Sequence, residues 1–250
     1  MPLRRRRKKF DDHPLSRMSP RRGQCDGGMT RLARFDAGNV AFFPPGVVES
    51  LLAGGMVIYP TDTLYGLGVD PRSQEGLRRL LILKSREGRK PVPLLLSGAD
   101  RVSDWAVRVP AAALRLMEKF WPGGLTIVLP ARADAPQQVT GGSGTVGLRV
   151  PDHPIACALA RALGGAITGT SANRAGNPGD WSTAEEIVRE FTGAVDWVLW
   201  DGPPPAASAA GRGAPRSPGS TVVRASDEEV VLLREGVIPF REVIDFLKKG

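Results

Sequence analysis

The sequence has 250 residues, of which 42% are apolar and 24% are charged, as in an ordinary soluble globular protein of one large or two small domains. No stretch approaches the roughly 18 to 20 consecutive apolar residues that a membrane-spanning helix needs, and no secretory signal follows the N-terminal charges, so we expect a cytoplasmic protein. The two cysteines lie far apart and there are only two histidines, His13 and His153, so the sequence predicts neither a zinc site nor a histidine-dependent triad.

Most of the net charge of +8 lies near the N-terminus. Residues 1–28 contain nine basic and three acidic residues, a net of +6, which leaves +2 for the rest of the chain. Because this segment has no apolar periodicity, we predict a basic disordered leader over residues 1–38 and a folded domain over residues 39–250. A solvated tail is the simplest interpretation, and contact with RNA is the alternative. Since Met29 precedes the first periodic segment, translation from an upstream start is a third.

Hydrophobic spacing, prolines and glycines predict an alternation of helices and strands. Up to residue 130 we predict a helix over 44–54, a strand over 56–59, a helix over 73–83, a strand over 94–96, a helix over 100–106, a helix over 110–120 and a strand over 125–129. Further on we predict a strand over 145–150, a helix from 153, a strand over 166–168, a helix that a Ser182/Glu185 capping box opens, a strand over 197–200, a hairpin over 220–234 and a helix over 239–249.

This order of elements predicts an α/β fold. We expect a single domain with a twisted mixed sheet flanked by helices, in which the connections are parallel up to about residue 200 and the final hairpin adds antiparallel strands. The segment 202–218 is rich in Pro, Ala, Gly and Ser, so we expect a mobile loop there.

Polar residues follow several of the predicted strands and helices. Thr61, Asp62 and Thr63 follow the first buried strand, where we expect the hydroxyls to face a crevice or solvent. Gly66 and Gly68 are expected to allow a tight turn or a close approach to a ligand. On spacing alone, a Lys and an Arg at the end of a helix, such as the pair at 84 and 86, more often only neutralise the helix dipole.

Several motifs in order resemble one family. PTDTLYGLG is followed by a helix that ends in KSREGRKPVPLLL, then by WPGGLT, RVPDHP, SAN and STVV with LREG. This series resembles the threonylcarbamoyl-AMP synthase family, the YrdC-like proteins, over roughly residues 44–240. Gly124 stands where the family usually has a proline. The resemblance implies a YrdC-like catalytic domain, and we expect no second domain after it.

The resemblance implies an L-threonylcarbamoyladenylate synthase, a nucleotidyltransferase that forms threonylcarbamoyl-AMP and pyrophosphate from L-threonine, bicarbonate or CO2, and ATP. The product serves the threonylcarbamoyladenosine modification of tRNA through a downstream transferase, and Mg²⁺ is expected to arrive with ATP. Lys84 and Arg86 are the expected catalytic residues. The residues expected to bind nucleotide or substrate are Thr61, Thr63, Thr126, Arg149, Ser171, Asn173, Thr221 and Arg234.

Two other functions remain open. An RNA-binding module of the same fold could use the same cations, although the nearly neutral body offers no evident set of aromatic residues on which bases could stack. A carbamoyl-adenylate-forming domain of the kind found in larger hydrogenase-maturation proteins is the second, although this chain lacks the cysteines of their zinc-binding segments.

Overall fold

Strands and helices alternate along the chain as predicted. The computed structural model describes residues 29–35, 43–44, 46–85, 90–173, 181–203 and 217–249. The strands are β1 Arg31–Arg34, β2 Val57–Tyr59, β3 Gly66–Gly68, β4 Leu94–Leu96, β5 Leu125–Pro130, β6 Thr145–Arg149, β7 Ala166–Thr168, β8 Thr170–Ser171, β9 Trp197–Trp200, β10 Thr221–Ala225 and β11 Val230–Arg234. The helices are α1 Val47–Leu52, α2 Gln74–Leu83, a 3-10 helix Ala99–Asp104, α3 Ala111–Phe120, α4 Gln137–Thr140, α5 Pro154–Ala162, α6 Ala184–Phe191 and α7 Phe240–Lys248.

The predicted α/β class with mixed strand pairing and flanking helices is confirmed, but the strands form two sheets instead of the single sheet that we expected. The first has the order β1-β9-β2-β3-β8 and the second β11-β10-β5-β6-β4-β7. The chain passes from one sheet to the other at Gly169, whose N–H donates to Pro93 O at 2.8 Å. A Cβ at Gly169 would lie 2.6 Å from the side chain of Leu95, so only glycine fits at this crossing.

Parallel pairing is less common before residue 200 than we predicted. β1, β9 and β2 pair in parallel, but β2 pairs antiparallel with β3, and β5 pairs antiparallel with β6. The short connection over residues 60–65 cannot provide the crossover that a parallel β2–β3 pair requires. The predicted β10–β11 hairpin is confirmed.

Gly66 and Gly68 lie in β3 and make room for a ring, so the prediction of a tight turn there is wrong. A Cβ at Gly66 or Gly68 would come within 2.8 or 2.6 Å of the Tyr59 ring. That ring is fully buried and its hydroxyl donates to Thr168 O at 2.7 Å. Burial raises the pKa of Tyr59 far above that of an exposed tyrosine.

Two predicted boundaries need correction: the start of the folded domain and the start of α6. Arg31–Arg34 form an edge strand parallel to β9, although we placed them in the leader. Leu32 packs against the core, and the Arg31 guanidinium lies 5.3 Å from the centroid of the Trp197 ring. The capping box of α6 is formed by Thr183 and Glu186, one residue later than predicted. Residues 1–28 lie outside the described part of the chain. Among the described residues, no helix is long and apolar enough to cross a membrane.

Candidate active site

The loop between β2 and β3 is held by the hydroxyl of Thr61. Its Oγ1 donates to Leu64 O at 2.5 Å and accepts from the N–H groups of Thr63 at 3.1 Å and Leu64 at 3.2 Å. Because a hydroxyl has one proton and two lone pairs, these contacts use Thr61 fully. Thr61 and Thr63 are each 5% exposed, so of the two environments that we expected for their hydroxyls, a crevice or solvent, the structure excludes solvent. Thr61 shapes the loop.

Arg149 ends β6 and turns its side chain under this loop. Nε donates to Gly123 O at 2.7 Å, Nη1 to Thr63 Oγ1 at 3.0 Å and Nη2 to Asp62 Oδ1 at 2.5 Å. The side chains of Arg149 and Asp62 are 5% and 17% exposed, so the ion pair joins a buried guanidinium to a partly buried carboxylate. We expected the arginine to face solvent or a cleft, and the structure excludes solvent.

Lys84 connects the end of α2 to the turn after β8. It is 8% exposed, and its Nζ donates to Ser171 O at 3.0 Å, Asn173 O at 2.7 Å and Asn173 Oδ1 at 2.6 Å. Ser171 Oγ donates to the same Asn173 Oδ1 at 2.7 Å. Lys84 therefore meets two predicted site residues that lie more than eighty positions further along the sequence. Arg86, the other predicted catalytic residue, lies outside the described residues.

Arg234, at the end of β11, belongs to a third polar group. Its Nη2 donates to Ser220 O at 2.8 Å and to Ser220 Oγ at 3.2 Å, and Ser220 Oγ lies 2.9 Å from Thr126 Oγ1. Partial burial, and then the positive charge of Arg149, lower the pKa of Arg234, although the guanidinium stays protonated. The two arginines are therefore close enough to repel each other.

The hydroxyl of Thr221, like that of Thr61, has no capacity left for a ligand. Fully buried, Oγ1 donates to Ile238 O at 2.5 Å and accepts from Gly236 N at 2.9 Å and Ile238 N at 3.1 Å. These bonds fasten the segment 236–238 beside β10. Val237 then lies over Gly124, where an added Cβ would come 2.3 Å from Val237 Cγ2. Valine thus fills space that is available because residue 124 is not proline.

The β2–β3 loop joins the cationic groups. Thr63 contacts Arg149, and Tyr65 O accepts from Ala172 N at 2.7 Å, in the turn that holds Lys84. At Gly219, an added Cβ would lie 3.5 Å from Leu64 and 3.6 Å from the Arg234 guanidinium, so this arginine also borders the loop. Lys84, Arg149 and Arg234 therefore surround one loop.

A second polar network fixes the end of β9 to this loop. Asp201 Oδ2 pairs with His153 Nε2 at 2.8 Å, and Asp201 Oδ1 accepts from Tyr65 OH at 3.1 Å. The Tyr65 ring stacks on Trp200 with centroids 5.3 Å apart. His153 precedes α5, as predicted, and its contact with Asp201 gives it a structural role at the start of that helix.

Sequence reasoning missed Asp62 and Ser220. Asp62 stands between two predicted threonines, and a carboxylate at that place could have been recognised as a partner for one of the predicted cations. Ser220 gave none, because a serine before a strand is common in loops. A cavity of about 550 Å³ between the 3-10 helix and α3 is lined by none of the predicted site residues.

The arrangement is suited to binding anions. It offers an ammonium, two guanidinium groups and several hydroxyls, whereas the described residues contain no group of three or more His, Cys, Asp or Glu side chains that could hold a metal ion. Such a site can bring two anionic reactants together and stabilise charge that develops on phosphate oxygens.

Known proteins are similar to this chain in sequence. A threonylcarbamoyl-AMP synthase of Halorhodospira halophila is 41% identical over 149 residues, which cover 60% of this chain and 78% of the relative. A threonylcarbamoyl-AMP synthase of Bacillus subtilis is 34% identical over 189 residues, covering 75% of this chain but only 51% of the relative. This chain therefore spans about half the length of the B. subtilis protein.

Solved structures agree with the sequence relatives. P. abyssi Sua5 in complex with L-threonine has a TM-score of 0.74 at 26% identity, covering 88% of this chain and 61% of that one. E. coli YciO has a TM-score of 0.70 at 26% identity, covering 86% and 98%. The profile of the Sua5/YciO/YrdC family, described as "Telomere recombination", matches residues 49–236. Because the match covers most of the chain and includes the residues around the β2–β3 loop, the chain belongs to the Sua5/YciO/YrdC family.

Proposed function

We propose that this protein is an L-threonylcarbamoyladenylate synthase, a nucleotidyltransferase that makes threonylcarbamoyl-AMP and pyrophosphate from L-threonine, bicarbonate or CO2, and ATP. The observation that carries the proposal is the junction of Lys84 with Ser171 and Asn173, because it places a buried cation and an amide side chain beside the β2–β3 loop. The names of the sequence relatives and the threonine complex of P. abyssi Sua5 support the choice of substrates.

The proposed reaction needs no protein nucleophile. The amine of threonine adds to CO2 and loses a proton, which gives a carbamate. A carbamate oxygen then attacks the α-phosphorus of ATP, and the bond from that phosphorus to the bridging oxygen breaks to release pyrophosphate. The protein must hold two anions together and neutralise the negative charge that accumulates on the phosphates, which is the chemistry that cations and hydrogen-bond donors supply.

We assign the cations by their surroundings. Lys84 and Arg234 serve the phosphates, because Lys84 donates to the turn at Ser171 and Asn173 that contacts the β2–β3 loop, and Arg234 borders the same loop beside Ser220. Arg149, which Asp62 neutralises, lies beside Thr63 on the side of the amino acid. Arg86 is assigned to the phosphates from the motif alone. Ser171, Asn173 and Thr126 supply hydrogen bonds, while Thr61 and Thr221 maintain the shape of the site.

Three further features complete the proposal. Mg²⁺ arrives with ATP and takes most of its ligands from the phosphates, which suits a site whose protein groups are mainly cations and hydroxyls. The product passes to a downstream transferase that modifies tRNA, in the cytoplasm. Contact with RNA is assigned to residues 1–28 from their charge, because they carry a net of +6.

The test is to incubate the protein with ATP, L-threonine and bicarbonate and to measure pyrophosphate. We expect release that requires all three compounds, together with a product that has the mass of threonylcarbamoyl-AMP. Omission of threonine or of bicarbonate serves as the control. Salt-sensitive binding of RNA without any ATP turnover would instead support the RNA-binding function.

A further inference from the structure

We propose that Asp62 is a positioning residue that fixes the guanidinium of Arg149 and cancels its charge, so that Arg149 acts on the amino-acid substrate by directed hydrogen bonds. This inference rests on the proposed function. Asp62 touches none of the other predicted cations in the described structure; its bond is to Arg149 Nη2 at 2.5 Å.

The geometry restrains the guanidinium at three points. Its three nitrogen atoms have three different acceptors, one each on Gly123, Thr63 and Asp62. Gly123 and Thr63 supply a carbonyl and a hydroxyl, so the carboxylate of Asp62 is the charged acceptor among them. Since an arginine has five N–H groups, two remain for a ligand, one each on Nη1 and Nη2. Their directions are fixed by the three bonds already made.

The loop cannot easily compensate for the loss of Asp62. Thr61 Oγ1 accepts from the N–H groups of Thr63 and Leu64, which follow Asp62 in the chain. These bonds fix the backbone on both sides of Asp62. Removing the carboxylate would leave a buried guanidinium without its counter-charge, and the plane of the guanidinium would be free to rotate about the remaining bonds.

Charge also explains why the carboxylate is needed. Arg149 and Arg234 are close enough for the first to lower the pKa of the second. Two uncompensated arginines beside each other would both attract phosphates. Neutralising the buried one leaves Arg234, bound by the neutral Ser220, as the arginine of this pair that attracts a nucleotide. Asp62 thereby separates the tasks of the two arginines.

The experiment compares Asp62→Ala and Asp62→Asn with the parent, with Asp134→Asn as the matched control. Asp134 pairs with Arg132 on the surface, where the side chains are 74% and 48% exposed. Dissociation constants for L-threonine and for ATP are measured separately by calorimetry, and KM and kcat are measured by pyrophosphate release. The exchange rate of the Arg149 Nε–H proton is followed by ¹⁵N NMR.

Loss of one buried charge-assisted bond should weaken threonine binding by about tenfold or more in Asp62→Ala. Asp62→Asn keeps an acceptor oxygen and should lose less. ATP binding should change by less than about threefold, and the Arg149 proton should exchange faster in the alanine variant. Equal weakening of both ligands, unchanged threonine binding, or an unchanged exchange rate would each overturn the proposal. If the parent binds no threonine, the proposed function fails, while the exchange rate still decides whether Asp62 positions Arg149.

Discussion

Replacing Lys84 by methionine separates a catalytic lysine from a lysine that only ends a helix. Methionine keeps an unbranched apolar stem but removes the ammonium, which in the parent donates to three oxygen atoms of Ser171 and Asn173. Loss of these bonds should reduce the free energy of unfolding by about 2 to 3 kcal/mol in total, because bonds to charged groups are worth roughly 1.5 to 3 kcal/mol and those that share one donor are not additive. If Lys84 also stabilises charge on the phosphates, threonine-dependent pyrophosphate release should fall by about a hundredfold to a thousandfold.

Lys119→Met is the matched control. Lys119 is an exposed residue in the last turn of α3, where its role is to complement the helix dipole. Its loss should cost roughly 0.3 to 1 kcal/mol and leave turnover unchanged. Both variants are assayed well below their melting temperatures, with folding checked by circular dichroism. If Lys84→Met keeps a rate within about threefold of the parent while Ser171→Ala is inactive, the lysine only maintains the turn.

A chain that starts at Met29 should turn over at the parental rate, because the described site uses no earlier residue; a large loss of activity would contradict this. Thr221→Val should lower the free energy of unfolding by about 1 to 3 kcal/mol in urea titrations, since it leaves backbone groups of Ile238 without their partner; a change below about 0.5 kcal/mol would argue against this. Gly124→Ala should destabilise the protein because its Cβ meets Val237, and Val237→Ala in the same chain should restore most of the loss; additive effects in the double-mutant cycle would refute the contact.

The sequence predicted most elements because their apolar periodicity was clear. The helix over residues 73–83 and the β10–β11 hairpin are confirmed; the buried positions of the helix repeat at helical spacing, and those of β10 alternate. Short segments with mixed polarity were harder. Arg31–Arg34 carries two arginines among four residues, so its pattern gave no strand signal, and its place beside β9 depends on contacts that are distant in sequence.

The division into two sheets could not be predicted from local patterns. At Gly169 the chain leaves β7 in one sheet and enters β8 in the other, and a glycine in a polar turn is equally consistent with an ordinary loop. The requirement for glycine comes from Leu95, which lies in another strand. Tertiary packing of this kind leaves no mark on the sequence near the position that it constrains.

In the candidate site, too, the sequence could not predict the role of each single residue. Motifs identified Lys84, Ser171 and Asn173 as related, and the structure places them together. Motifs could not distinguish Thr63, which contacts Arg149, from Thr61, whose hydroxyl is used up within its own loop. Both residues must be present for the motif to form, one to set the backbone and the other to contact the arginine. A family signature therefore marks a whole site, while the assignment of tasks within it requires the hydrogen bonds of each hydroxyl to be counted.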